Sequence, residues 1–240
     1  MQTADYLTAL ARDGAAFADA CEAARMDTPV PSCPEWSVAD LMWHLAEVHD
    51  FWSTVVGDQL ADPDGYAQPE RPTDADLPAF YRACLSRVLE VLGAADPAQS
   101  NWTWTSDHSA GFVQRRMAHE TAMHLTDAQL AAGSAMSVEA VLASDGIDEF
   151  LEFFHSWPTD APPAGGSVHL HCTDVAGEWT VRESNGSRVV TREHAKGDCA
   201  LRGAASDLLL VLWRRVPLST ADVVGDAEVA ARFVAYTHLG

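Results

Sequence analysis

Residues 119–124, His-Glu-Thr-Ala-Met-His, put two imidazoles and a carboxylate into six positions of a stretch, RRMAHETAMHLTDA, that reads as one helix. Side chains of these types are the ones that hold divalent metals. A familiar zinc-protease signature, H-E-x-x-H, sets its two histidines four apart on one helical face, with the glutamate as base. The spacing here is five. At ~100° per residue, His119 and His124 diverge by roughly 140° around the helix, too far to share an ion. Glu120 and His124 are the matching pair, because four residues amount to about 40° of rotation and one turn of rise.

A third donor comes from an earlier stretch. In SVADLMWHLAEVHDFWSTVV (37–56), Leu41, His44, Leu45, Val48 and Trp52 form an i, i+3, i+4 stripe, which places His44 on the apolar side and His49 off it. The corresponding stripe of the later helix is Val113, Met117, Glu120, Thr121, His124, Leu125 and Ala128. It carries Glu120 and His124 inward. An ionised glutamate in low dielectric must be neutralised, paired with a cation or bound to a metal. If the two helices adjoin, His44, Glu120 and His124 make a facial set of three donors with a coordination position left open, as in catalytic zinc sites. Any single inward histidine is more often a hydrogen-bonded core residue, so the metal reading rests on the three together. Asp127, one turn past His124, is placed to orient an imidazole. Arg116, one turn before Glu120, is placed to pair with a carboxylate, although for both residues a solvated surface charge is the commoner role.

The elements that must position these groups are legible as patterns. TADYLTALARDGAAFADACEAA is alanine-rich and periodic, and Ser37 with Asp40 three positions on has the form of a capping box at the start of the second helix. LPAFYRACLSRVLEVLGAA follows a Pro/Asp/Gly-rich loop, and AGFVQRRMAHETAMHLTDAQLAAG closes on Gly133. Four long amphipathic helices predict a bundle, to which SVEAVLASDGIDEFLEFFHSWP adds a fifth. TDAPPAGG (159–166) then reads as a linker. Beyond it the period changes to two: SVHLHCTDV, EWTVRES and SRVVTREH alternate like antiparallel strands, with Asn185-Gly186 as a hairpin turn and CALRGAA as a further strand. ASDLLLVLWRR and DAEVAARFVAYTHL read as helices. The expectation is a helical bundle over 1–160 and a small α+β domain over 166–240.

Composition bounds the function. With 240 residues, 48% hydrophobic and 21% charged, the chain is globular and long enough for a buried core. It has no apolar run of membrane-spanning length, and its start lacks the basic flank and cleavage site of a signal peptide, so a soluble, cytoplasmic protein without a membrane partner is expected. Five scattered cysteines without a C-x-x-C fit reduced thiols; Cys33, near the second helix, reads as a small buried hydrophobe. A net charge of -20 argues against a nucleic-acid partner. The charge is uneven, with 7 basic and 26 acidic residues in 1–160 against 8 and 9 in 161–240, which supports two domains.

Three segments, VPSCPEWSVADLMWHLAEV, RRMAHETAMHLTDA and LRGAASDLLLVLWRRVP, closely resemble the mycothiol-dependent maleylpyruvate isomerase family. The resemblance implies a DinB-like up-and-down metal-binding bundle followed by a small C-terminal α+β domain. It implies a zinc ion on the histidine of W-S-x-x-x-L-x-x-H-L and on the Glu and second His of H-E-x-x-x-H, which here are His44, Glu120 and His124. It also implies mycothiol as thiol cosubstrate and a small electrophile as partner, the thiol either adding transiently to a double bond for cis-trans isomerisation or being transferred. S-transfer stands slightly ahead, because the motifs define the thiol site better than the electrophile. An arginine after LLLVLW would hold an anionic group; Arg215 fits the W-x-R spacing, while Arg214 stands where the family often has glycine, leaving open which of the two faces a cleft. Trp36 is the aromatic expected at the thiol site, with Trp102 and Trp104 as further candidates. Two other functions remain: a metal-dependent DinB-like hydrolase or detoxifying enzyme using another thiol or water, and a non-catalytic metal-binding regulatory protein. The three-donor count argues against the last, since structural zinc fills all four positions with protein groups.

Overall fold

Ser37 ends one strand and starts one helix. Its hydroxyl accepts from the Asp40 backbone N–H at 3.3 Å and the Asp40 carboxylate accepts from the Ser37 N–H at 2.9 Å, the reciprocal cap that the sequence predicts for α2 (Val38–Gly57). Just before it, β1 (Pro29–Val30) and β2 (Cys33–Ser37) pair antiparallel. The computed structural model describes residues 1–155, 164–184 and 187–236. They fall into two units, Met1–Met136 and Ser137–Gly240.

In the first unit α1 (Thr3–Ala24), α2, α3 (Leu77–Ala94) and α4 (Ala110–Ala131) close a four-helix ring in which α1 and α2 each pack against both α3 and α4. Leu10 and Phe17 of α1, Leu41, Met42 and Leu45 of α2, Tyr81 and Leu92 of α3 and Met117 of α4 fill its centre. Two details differ from the apolar stripes read in the sequence. The fully buried row of α2 is Val38, Leu41, Met42, Leu45 and His49, with Trp52 and Val56 nearly so, so His49 is the core histidine and His44, with a side chain 34% exposed, lies on the flank. Helix α4 is buried almost all round, including Phe112, Gln114, Met117, His119, Thr121 and Met123, because it is wrapped by α1 and α2 rather than lying on one surface.

The second unit starts earlier than the sequence implies. Helix α5 (Ala140–Glu149), which continues into a π-helical turn at Phe150–Phe154, buries Leu142, Ala143, Ile147, Phe150 and Leu151 and packs against α6 (Ala205–Leu212). Its periodicity shows that it has an apolar face but not which partner covers it, and the expected bundle boundary at 160 therefore moves to 136. The linker reading of 159–166 lies outside the described residues as far as 163, as does the Asn185-Gly186 turn. The strands are β3 (Val168–Cys172), β4 (Glu178–Ser184), β5 (Ser187–Thr191), β6 (Cys199–Gly203) and β7 (Asp222–Gly225), in the order β5-β4-β3-β6-β7, with β3 and β6 parallel and the other neighbours antiparallel. β7 carries only four residues between turns and gives no alternating pattern of its own. Helix α7 (Ala227–Ala235) covers β3, β6 and β7 through Val229, Ala230 and Phe233. The five cysteines form no disulfide among the described residues, and no helix among them is long and apolar enough to cross a membrane.

Helix α6 stops at Leu212, so Arg214 and Arg215 lie in the turn beyond it and not on the helix. The Arg214 N–H donates to Val211 O at 3.0 Å and the Arg215 N–H to Leu210 O at 2.8 Å, a Schellman closure with Arg214 at φ 55°. That left-handed position costs an L-residue with a Cβ about 1–2 kcal/mol. Glycine relieves the strain and loses part of the gain through its freer unfolded chain. Arg214→Gly is expected to stabilise the protein by about 0.5–1 kcal/mol in urea titrations, with Arg214→Ala showing no such gain.

The buried His49 makes a second prediction. Its Nε2 lies 2.9 Å from the Thr121 hydroxyl on α4, and burial pushes its pKa down to about 3. Between the ordinary value of about 6.5 and 3 the unfolded chain binds a proton that the folded chain refuses. Stability from this residue is complete above pH 6.5 and is lost as pH falls, by about 1.4 kcal/mol per pH unit. Urea midpoints measured from pH 7 to pH 4 should fall less steeply for His49→Gln than for the wild type.

Candidate metal centre

The antiparallel contact of α2 with α4 sets His44 against Glu120, and one helical turn along α4 brings in His124. Nε2 of His44 and Nε2 of His124 lie 3.4 Å and 3.2 Å from the same carboxylate oxygen, Glu120 Oε1. The structure thus brings together the three residues singled out in the sequence, with their donor atoms all within 4.8 Å of one another. A tetrahedral ion at roughly 2.0–2.1 Å from each donor separates the donors by about 3.4 Å. The donor set fits such an ion by chemistry and by spacing.

Each donor is held by a second contact. Asp127, fully buried, takes His124 Nδ1 at 3.0 Å on one oxygen and the Ser32 hydroxyl at 2.6 Å on the other. With its Nδ1 proton on Asp127, His124 presents the lone pair of Nε2 to the site. Arg116, also buried, pairs with Glu120 Oε2, one turn away on the same helix. Neither Asp127 nor Arg116 is the solvated surface charge that its type most often is. Trp36, the last residue of β2 before the cap, lays its indole against His44 at 4.9 Å and His124 at 6.5 Å between ring centroids. Ser32 was missed by sequence reasoning, since a loop serine between two prolines carries no periodic signal.

The electrostatics follow from this arrangement. Burial opposes the charge on Glu120, yet Arg116 and the imidazoles of His124 and His44 hold its carboxyl well below the usual range. Burial likewise disfavours charged His124, but the Glu120 and Asp127 carboxylates lift it to about 9. In the ion-free chain the pocket carries its own counter-charge. The remaining sequence candidates lie elsewhere. His119 is buried on the opposite side of α4, its ring 6.1 Å from that of Tyr6 on α1. Trp102 stacks on Trp52 at 6.0 Å and Trp104 packs on Phe112. Arg215 belongs to the second unit, where Nη1 donates to Trp213 O at 3.0 Å and the guanidinium lies 5.9 Å from the Trp213 ring.

His44→Ala, Glu120→Gln and His124→Ala are each expected to remove a bound divalent ion, and Asp127→Asn to weaken it by about 10–100-fold. His119→Ala should leave the metal content unchanged. Elemental analysis of the purified variants checks this; loss of one ion per chain from His119→Ala, with the full wild-type content kept by Glu120→Gln, would refute the assignment.

The chain matches the family described as the mycothiol maleylpyruvate isomerase N-terminal domain over residues 7–129 and the C-terminal domain of the same family over 142–232. No curated protein is similar to it in sequence. Among solved structures, a crystal structure of the mycothiol-dependent maleylpyruvate isomerase aligns with a TM-score of 0.60 at 9% identity, covering 88% of each chain. A variant of that isomerase with one histidine changed to alanine aligns with a TM-score of 0.64 at 9% identity, covering 95% of each. At that identity the likeness is one of fold. The two domain matches together span most of the sequence, and the chain belongs to the mycothiol maleylpyruvate isomerase family.

Proposed function

We propose that the chain is a zinc-dependent enzyme that activates mycothiol, either for transfer to a small electrophile or for thiol-assisted cis-trans isomerisation of a maleylpyruvate-type substrate. The observation that carries the proposal is the convergence of His44 Nε2, His124 Nε2 and Glu120 Oε1 from two helices, three protein donors rather than four. A divalent ion bound there supplies the positive charge that lowers a thiol pKa and keeps the sulfur as thiolate near neutral pH.

The residues of the chain do the rest. Asp127 fixes the His124 tautomer, Arg116 neutralises the Glu120 oxygen turned from the site, and Trp36 forms an apolar wall beside His44. The thiol proton leaves to solvent when the thiol binds, and the sulfur attacks as thiolate. In isomerisation the sulfur adds to one alkene carbon and the π pair moves onto the conjugated carbonyl. The former double bond rotates, and expulsion of the thiolate restores it in the trans form with no net thiol consumed. In S-transfer the new C–S bond is kept, and the electrophile either expels a leaving group with its bonding pair or, after addition, takes up a proton from solvent. S-transfer is the reading placed first, and maleylpyruvate isomerisation matches the name of the fold relatives. We assign Arg215 to an anionic group of thiol or substrate. The five cysteines, without a disulfide among the described residues, accord with a cytoplasmic, reducing setting.

Calorimetry of the metal-loaded protein with mycothiol, in buffers of different ionisation enthalpy, should show one proton released on binding, and none for Glu120→Gln. Equal binding to metal-free protein would sink the mechanism. With a panel of electrophiles that includes maleylpyruvate, net loss of thiol marks transfer and its absence with product formed marks isomerisation. Arg215→Ala should lower kcat/KM about ten- to a hundredfold at unchanged metal content, the worth of one charged hydrogen bond.

A further inference from the structure

The second unit holds another cluster of donors, independent of the bundle. On β3 the alternation Val168-His169-Leu170-His171-Cys172 sends Val168, Leu170 and Cys172 to one face of the sheet and both histidines to the other. Glu178, the first residue of β4, sits directly opposite His171 in the antiparallel register. His194, in the connection between β5 and β6, comes back over the same face. His171 Nδ1 contacts Glu178 Oε1, and His194 Nδ1 lies 3.1 Å from both oxygens of that carboxylate. The His169 ring is 5.0 Å from the His194 ring and 5.8 Å from the His171 ring. One donor atom from each of the four residues falls within 4.8 Å of all the others.

Two further observations point to a ligand. His169 is 93% buried, since its relative exposure is 7%, and among the described residues its Nε2 has no hydrogen-bond partner. A polar nitrogen left so is unfavourable unless something fills its place. The β5–β6 connection is also pressed tightly onto β3: a Cβ at Gly197 would stand 2.9 Å from Ser167 O and 3.1 Å from the His169 N. The backbone is thus built to carry His194 over the histidines. The neighbouring cation, Arg202 opposite His171 on β6, is turned toward Asp222 at 3.6 Å. A cleft lined by His171, Glu178, Arg192 and His194 gives an ion a way in.

We propose that His169, His171, Glu178 and His194 form a second divalent-metal site, of the zinc class. Three imidazoles and one carboxylate are donors that such ions favour. The count of four distinguishes it from the bundle site: four protein groups complete a tetrahedron, which makes the ion structural, without an open position for thiol or water. Its role is to tie β3, β4 and the β5–β6 connection into one piece.

The test is zinc stoichiometry on untagged, full-length protein, stripped with chelator, reloaded with zinc alone and desalted. Wild type should retain two zinc ions per chain, Glu120→Gln one, the double variant His169→Ala/His171→Ala one, and the triple combination none. Glu178→Gln, which preserves side-chain shape, should weaken the second ion tenfold or more in competition with a chelator. In a Glu120→Gln background zinc should raise the melting temperature, and adding Glu178→Gln should abolish the rise. A second zinc that survives both sheet variants, or a Glu120→Gln protein that retains none, overturns the proposal. One zinc lost from the sheet variants but kept by Glu120→Gln would leave this site standing and remove the bundle site instead.

Discussion

One half-buried carboxylate organises the first unit. Glu120 points into the contact between α2 and α4, where an isolated charge would be strongly disfavoured, and Arg116, His124 and His44 answer that charge. Arg116 takes one oxygen, and the two imidazoles converge on the other. His124 in turn leans on Asp127, and Asp127 on Ser32 of the β1–β2 turn. The capping box that starts α2 follows directly on Trp36, so the strand, the cap and the indole over His44 are fixed by one short segment. The cost of placing a charge inside a bundle is met by residues that all also aim donors.

The same constraint explains what α4 looks like as a sequence. A helix that meets partners on every side needs different chemistry on each, and its amphipathicity is correspondingly weak. Toward α1 it shows His119 beside Tyr6; toward α3 it shows Gln114, whose amide donates to Leu92 O; toward α2 it shows Thr121 to His49 and Glu120 to His44. Angular spacing around the helix therefore separates His119, beside Tyr6, from Glu120 and His124. A single stripe could not describe the rest.

Legibility followed the same division between local and long-range causes. The Ser37 cap, the four bundle helices and the β3, β4, β5 and β6 strands come from local propensity and period, and the proposed metal donors from a helical-wheel angle beside a family resemblance. The assignments that failed needed a partner to be known. His44 and His49 are both reachable from the apolar row of α2, and only the packing of α3 and α4 shows that His49 is inside. Helix α5 has an apolar face equally suited to a bundle or to α6. Asp127 and Arg116 look like surface charges until the neighbouring elements bury them. Arg214 conceals a left-handed turn that a glycine there would have announced.

The two histidine clusters show why donor count carries more functional information than donor type. Both bring imidazoles to a carboxylate. In the bundle three donors come from two helices, and the Trp36 indole lies against His44. On the sheet, His169 and His171 stand on one face of β3, Glu178 faces them from β4, and a separate connection folds His194 over the top. On the proposals above, chemistry belongs with the three-donor site and cohesion of the strands with the four-donor one. The H-x-H alternation in VHLHC was visible in the sequence as a strand pattern alone, because its other two donors arrive through register and a crossover that no local pattern encodes.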